Sequence, residues 1–384
     1  MSDQIHSAFR KSRIYFALVF GVLVTLIVMG YSLTRSEFHA VDKGKGSYEW
    51  IDNNQNGKID SSDPAEFKPS PHGDFEKKSA SQILSEIQWT STTVFWLSLA
   101  MVAMVGRDLG YMIRIRILTH KKLSWKQAFH VIAIWEFASA LAPGIMSGAA
   151  VAMFILNKEK IELGRATAIV VLTAMLDNLF YVLIIPILFL VAPTITFQSI
   201  STTAALNSIF WFGFGIFCCL TVILFLSLFV FPKLIGNLLA YVCKIPFLKR
   251  LETRVKRIGD DIETTALEIR QEKISFWLSS LSATFFSWSS RFLVVNFVLQ
   301  AFIQLGFIQQ IQVFAKQFVL WMFLRVSPTP GGSGVAEWAF GTLLSEYSDS
   351  IVLLGAMAVI WRLISYFPYL LIGSLILPKW LSKK

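Results

Sequence analysis

Charge is scarce in this sequence. Asp, Glu, Lys and Arg make up 16% of its 384 residues, where a soluble domain carries about 25%. With 54% hydrophobic residues and a mean hydropathy of +0.58, the chain is too apolar for a water-soluble globule. Cysteine is nearly missing. Cys218 and Cys219 lie inside an apolar run, Cys243 follows it, and no CxxC or Cys/His cluster exists. That excludes a disulfide framework and a zinc site of the usual spacing. No segment shows the two-residue alternation of a membrane barrel strand. The formal charge of +10 would suggest nucleic acid on a soluble protein. Here the basic residues sit at the ends of apolar runs, where they report topology, so no nucleic-acid partner is expected.

Apolar runs of the roughly 20 residues that a helix needs to cross a bilayer are what the chain does have. The fold class that follows is an all-α polytopic membrane protein. The N-terminal "RKSRIYFALVFGVLVTLIVMGYSL" puts basic residues before an apolar run at 14–33, long for a signal-peptide core and without a clear cleavage site. It reads as an uncleaved first span with a cytoplasmic N-terminus, making 1–33 the first unit. A polar insert follows at 34–88, with ten acids and seven Lys/Arg. Span two is expected at 89–106. The segment "RDLGYMIRIRILTHKKLSWK" after it carries six Lys/Arg against one acid and reads as a cytoplasmic loop. The insert is then extracytoplasmic.

Two apolar stretches do not fit simple spans. "AFHVIAIWEFASALAPGIMSGAAVAMFIL" has Pro143-Gly144 at its middle and basic residues beyond both ends. It is too short for two crossings, so a re-entrant hairpin turning at Pro143-Gly144 competes with one kinked span. Full spans are expected at 166–191, 205–231, 275–304 and 351–377, with a basic cytoplasmic segment at 232–273 holding nine Lys/Arg. Between the last two lies "IQVFAKQFVLWMFLRVSPTPGGSGVAEWAFGTLLSEY", a second hairpin entering from the opposite face. Six full spans and two opposed hairpins resemble the inverted repeats with broken helices of transporters. Both termini are expected in the cytoplasm and the protein in the inner membrane.

Ionisable residues inside apolar runs are costly and point to function. They are Glu136, Asp177, Arg291, Arg325, Glu337 and Arg362, with Lys316 nearer an interface. One reading is structural: Asp177 with Asn178 forms an interhelical hydrogen-bond pair, and Arg291 and Arg362 neutralise Glu136 and Glu337. The other is that arginines facing a polar cavity hold a phosphate, which the planar guanidinium fork suits. Half-helix N-termini after Pro143-Gly144 and Pro330-Gly331 would add free N–H groups.

"SPTPGGSGVAEWAF" and "WRLISYFPYLLIGSL" resemble the signature and closing segment of the lysylphosphatidylglycerol synthase transmembrane region, also called the flippase-like or UPF0104 family. The resemblance covers most of the chain from about span two onward, here taken as a unit at 89–384. It implies a polytopic protein that binds or flips a lipid. It carries the family motif onto Pro328, Pro330, Gly331, Gly332, Gly334, Glu337 and Arg362. No aminoacyl-transferase domain follows, so lysyl transfer is not expected and the chain reads as a non-enzyme. The insert falls outside the family pattern. The expected partner is a membrane phospholipid or lipid-linked anion.

Within the insert, "IDNNQNGKIDSSD" matches the register of an EF-hand or dockerin-type loop. Asp52, Asn54, Asn56, the Lys58 carbonyl, Asp60 and Asp63 would supply hard oxygen ligands for Ca²⁺ around a turn at Gly57. A plain Asn/Gly turn explains the same residues without metal. Two further functions remain open beside the flippase. A membrane-embedded transferase would use Glu136 or Glu337 as base, although no histidine lies in the middle of a span. A calcium-responsive scaffold would need a second ligand loop, which the sequence lacks.

Overall fold

The computed structural model describes residues 34–55, 57, 59–141, 147–191, 204–231 and 263–382, and finds helix at 19, 23, 27 and 30. Pro143, Gly144, Asn56, Lys58, most of the expected first span and most of the 232–273 segment lie outside the described residues.

The insert contains strands that hydropathy did not suggest. β1 (Ser36–Ala40), β2 (Gly46–Trp50), β3 (Phe67–Gly73) and β4 (Phe75–Ser79) form an antiparallel sheet in the order β1-β4-β2-β3. Pro69 and Pro71 are tolerated because β3 is an edge strand, where a missing N–H breaks no inner ladder. Phe38 stacks on Phe67 at 4.1 Å and meets Tyr48 edge-on at 4.9 Å, a small aromatic core. Ser79 and Gln82 form a capping box that starts α1 (Ala80–Ser85).

The membrane part is helical, as the composition requires. α2 (Ser91–Leu118), α5 (Leu163–Val191), the run 211–230 and the run 351–381 are long and apolar enough to cross a bilayer. α6 (Ala204–Phe225) enters the third of these and ends in a π-turn at Leu226–Val230. α7 (Ile274–Phe302) is as long as α5. One row of its serines faces inward. Ser280 and Ser287 are buried, and a Cβ on Gly110 of α2 would stand 2.8 Å from the Cβ of Ser287. Close approach over small residues is how membrane helices pack when no hydrophobic drive separates helix from lipid.

The expected cytoplasmic loop after span two is corrected. α2 does not stop at residue 106 but continues for twelve residues to Leu118. No proline interrupts 107–118, and Arg107 and Arg114 are buried among internal carboxylates. Their charges are matched inside the protein, so they give no positive-inside signal.

α3 (Trp125–Leu141) and α4 (Ser147–Lys158) form the first hairpin. Gln127 at its start donates to Glu159 after its end at 2.8 Å, so both ends share one face. α8 (Phe307–Val326) and α9 (Val335–Leu344) form the second. There Lys316 donates to the Leu343 carbonyl at 2.8 Å, and Tyr347 to Gln312 at 3.3 Å. Lys316 is buried and also pairs with Glu346 at 2.9 Å, at the end of the hairpin. α10 (Ile351–Ser365) and α11 (Phe367–Leu381) divide the closing run at Tyr366, just before Pro368, which has no N–H to continue the ladder.

The termini of these elements sort into two ends. The insert, the α7–α8 connection and Ser350 surround one crevice. At the other, His120 meets Glu272 at 3.1 Å, Arg165 meets Glu268 at 3.3 Å, and Trp380 donates to Glu159 at 2.6 Å. The two hairpins therefore enter from opposite ends.

Candidate functional site

The two hairpins meet at one cavity of about 300 Å³. Ser139 and Ala140, just before the undescribed Pro143-Gly144 turn, line it from the first hairpin. Thr329, Gly331 and Gly332 line it from the second. Tyr366, at the α10–α11 break, holds the tips together by donating to the Ala140 carbonyl at 3.2 Å. Its ring leaves no room beyond glycine: a Cβ on Gly331 would lie 2.2 Å from Tyr366 Cε2. Gly331, Gly332 and Gly334 all have positive φ, at 57°, 69° and 85°, so the tip winds through a left-handed turn open to glycine.

Four of the six ionisable residues singled out from the sequence line this cavity: Glu136, Arg291, Arg325 and Arg362. Arg291 on α7 lies over Trp288 at 4.9 Å and Trp321 at 4.6 Å, and reaches Glu136 of α3 at 3.4 Å. Glu136 is also paired with Arg107. Arg107 is fully buried, meets its neighbour Asp108 at 3.1 Å, and lies over the Tyr369 ring at 4.8 Å. Tyr369 in turn donates to Asp108 at 2.8 Å. The chain thus surrounds Glu136 with cations held against aromatic faces, where a guanidinium is favoured.

Glu337 lies just outside the cavity wall, and it uses one of the N–H groups expected to be free at its helix end. The Glu337 carboxylate folds back to accept the Gly334 N–H at 2.7 Å, so it occupies the N-terminus of α9 itself. It also accepts from Arg362 Nε at 3.1 Å, while Arg362 Nη2 donates to Ser333 at 3.2 Å and the guanidinium lies 3.9 Å from the Tyr366 ring centroid. Pro328 and Pro330 frame the turn that this brace holds. Asp177 and Asn178 both make interhelical hydrogen bonds, to different helices. Asp177 accepts from Arg114 at 2.5 Å and Trp288 at 2.7 Å, and Asn178 accepts from Arg325 at 3.1 Å.

Arg107, Asp108, Arg114 and Tyr369 were not foreseen. Arg107, Tyr111 and Arg114 sit at i, i+4 and i+7, one face of a helix. That spacing, with no breaker after Gly106, was the available signal.

In the insert, the expected calcium ligands are engaged locally. Asp52 accepts the Gly57 N–H at 2.9 Å, Asp60 accepts from Ser62 at 3.0 Å, and Asp63 caps the turn at Ala65 at 2.9 Å. The loop closes on Glu66, a buried carboxylate outside the expected set, which accepts from Trp50 at 3.2 Å, Asn54 at 2.5 Å and the Asp60 N–H at 3.0 Å. Among the described residues, no three His, Cys, Asp or Glu side chains gather as a metal site.

Comparison with known proteins bears on the membrane part. A UPF0104 membrane protein of Archaeoglobus fulgidus is 22% identical over 312 residues, covering 78% of this chain and 87% of the relative. No solved structure matches. The family described as the lysylphosphatidylglycerol synthase TM region matches residues 75–373, which takes in α2 through α10, the first half of α11 and every cavity residue named above. This multi-pass membrane protein therefore belongs to the lysylphosphatidylglycerol synthase transmembrane-region family.

Proposed function

We propose that this chain binds a phospholipid or lipid-linked anion in the cavity between its hairpin tips and moves it across the cytoplasmic membrane, without covalent chemistry. The observation that carries the reading is the cavity itself, where Arg291, Arg325 and Arg362 meet two broken helical hairpins entering from opposite ends. Broken helices that converge on one site are the plan by which transporters expose a ligand to each side in turn. Arginine suits the phosphate, and the aromatic walls suit the glycerol and ester region of a lipid. In this reading the basic end, with Lys121, Lys122, Lys158 and Lys160, faces the cytoplasm, and the insert lies outside.

The test is transbilayer movement of tail-labelled phospholipid in proteoliposomes containing the full chain. The expected result is faster loss of dithionite-accessible label asymmetry than in protein-free vesicles, and a block when Ser139→Trp fills the cavity mouth. Equal rates with and without protein would reject transport. If, in addition, no phospholipid copurifies with the parent chain, lipid binding is rejected with it.

A further inference from the structure

The charge inventory of the site has a remainder. Among the described residues, five arginines (Arg107, Arg114, Arg291, Arg325, Arg362) share the membrane interior with four carboxylates. Arg107 and Arg291 divide Glu136, with Asp108 beside Arg107; Arg114 takes Asp177; Arg362 takes Glu337. The formal surplus is one positive charge, and the geometry says where it lies. Among the described residues, Arg325 has no carboxylate within ion-pair distance. Its Nη1 donates to a neutral amide, Asn178, and its guanidinium lies over the Phe217 ring at 4.6 Å and the Tyr181 ring at 5.2 Å. Beside it the Tyr181 hydroxyl is buried without a hydrogen-bond partner among the described residues. Arg325 also lines the cavity, one turn before the hairpin tip. The other two cavity arginines are spoken for, Arg362 by the Glu337 brace and Arg291 by Glu136 and two indoles.

An unpaired cation at membrane depth is costly and finds an anion when one is available. We infer that the cavity is built for a ligand of one negative charge, a phosphodiester, and that Arg325 is its anchor and sets this charge preference. A zwitterionic headgroup would bring a second cation beside Arg291 and Arg325. A dianionic one would leave a negative charge uncompensated next to Glu136. The inference rests on the reading of the cavity as a lipid-headgroup site, and the experiment separates the two.

Binding to the purified full chain is measured by native mass spectrometry and thermal shift for phosphatidylglycerol (net −1), phosphatidylcholine (net zero), cardiolipin (net −2) and water-soluble glycerophosphoglycerol. The parent is expected to bind phosphatidylglycerol most tightly. Arg325→Gln, which can still donate to Asn178, should lower that affinity about tenfold or more and narrow the preference for phosphatidylglycerol over phosphatidylcholine. Arg325→Lys, which keeps the charge but not the fork, should fall between them. Unchanged elution and unfolding temperature of the variants without lipid keep a folding defect apart from a binding defect. Equal parental affinity for the zwitterionic and monoanionic lipids, or tighter binding of cardiolipin, overturns the charge inference while the lipid site stands. An Arg325→Gln protein that binds phosphatidylglycerol like the parent overturns the anchor. Binding of glycerophosphoglycerol but of no lipid overturns the lipid reading and keeps the monoanion. Failure of every probe overturns both.

Discussion

Glu337 and Arg362 show why a buried charge pair is read best by removing both members. Their side chains are 2% and 5% exposed, and Glu337 also closes the N-terminus of α9 through Gly334. Arg362→Gln alone leaves a buried carboxylate without its cation, a loss of about 3–5 kcal/mol. The double replacement with Glu337→Gln removes the uncompensated charge, and its glutamine can still accept from Gly334. Thermal unfolding in detergent should therefore place the double variant above the Arg362→Gln single; a double variant that melts below it would show that the pair is not a closed brace. Gly331→Ala makes a second test at the same tip. A left-handed backbone costs a residue with a Cβ about 1–2 kcal/mol, and the Cβ would also strike the Tyr366 ring. It should lose both stability and lipid binding, and restoring room with Tyr366→Phe should not help, because the clash begins at the ring carbons and not at the hydroxyl. Of this site, Glu136, Arg291, Arg325, Glu337 and Arg362 were legible because each interrupts an apolar run. Arg107 and Arg114 were not, because a run of basic residues looks the same whether it faces cytoplasm or is matched by carboxylates from Glu136 and Asp177, distant in sequence.

The docking of the insert is a property of elements. Glu37 on β1 accepts the Val352 N–H of α10 at 2.8 Å, Ser61 donates to the Asp349 carbonyl, and Ala80 and Ile83 pack on Val352. A carboxylate at a helix N-terminus is favoured by the free N–H groups there. Burial alone would push the Glu37 carboxyl up, but His39 at 3.3 Å, nearby Ser350 and the bond from the Val352 N–H hold it below the ordinary glutamate value. A depressed pKa stabilises the docked state above the ordinary value and loses that contribution as the pH falls through the lower one. Protection of 351–354 from hydrogen exchange, taken relative to the intrinsic rate at each pH, should fall on acidification in the parent, and Glu37→Gln should lower it at neutral pH and flatten the pH response. Identical acid profiles would deny Glu37 this role. The calcium proposal belongs to the same element. Asp52, Asp60 and Asp63 already hold local N–H groups, so a cation must compete or use their second oxygens, and only weak binding, on the order of 10⁻⁴ to 10⁻³ M, is expected. Millimolar Ca²⁺ should protect 52–63 from exchange in the full chain but not in Asp52→Ala, and chelator should reverse it; no difference between the two would leave a plain turn. Hydropathy could place this insert but not its sheet, since strands such as "FEKKS" gain their order from Phe38, Phe67 and Phe75 meeting across the fold.

At the scale of the molecule, the hairpins were legible as apolar stretches too short for two crossings and broken by Pro and Gly. What sequence could not give was the depth at which they meet, because that depends on Tyr366 reaching the Ala140 carbonyl from a helix break 226 residues away. Orientation follows from the two ends. The insert, the α7–α8 connection and Ser350 share one end, while Lys121, Lys122, Lys158, Lys160 and Lys273 gather at the other. A polypeptide keeps its short lysine-rich loops on the cytoplasmic side, so the insert end is proposed to face outward. Accessibility labelling checks this with two exposed positions, His72 in β3 and Lys122 between α2 and α3. In a chain with its three cysteines replaced, a membrane-impermeant maleimide should modify His72→Cys in intact cells and Lys122→Cys only after permeabilisation. The reverse pattern would turn the molecule over without disturbing the cavity. It would put the first hairpin's entry outside, and the lipid's path would have to be redrawn from the insert end inward.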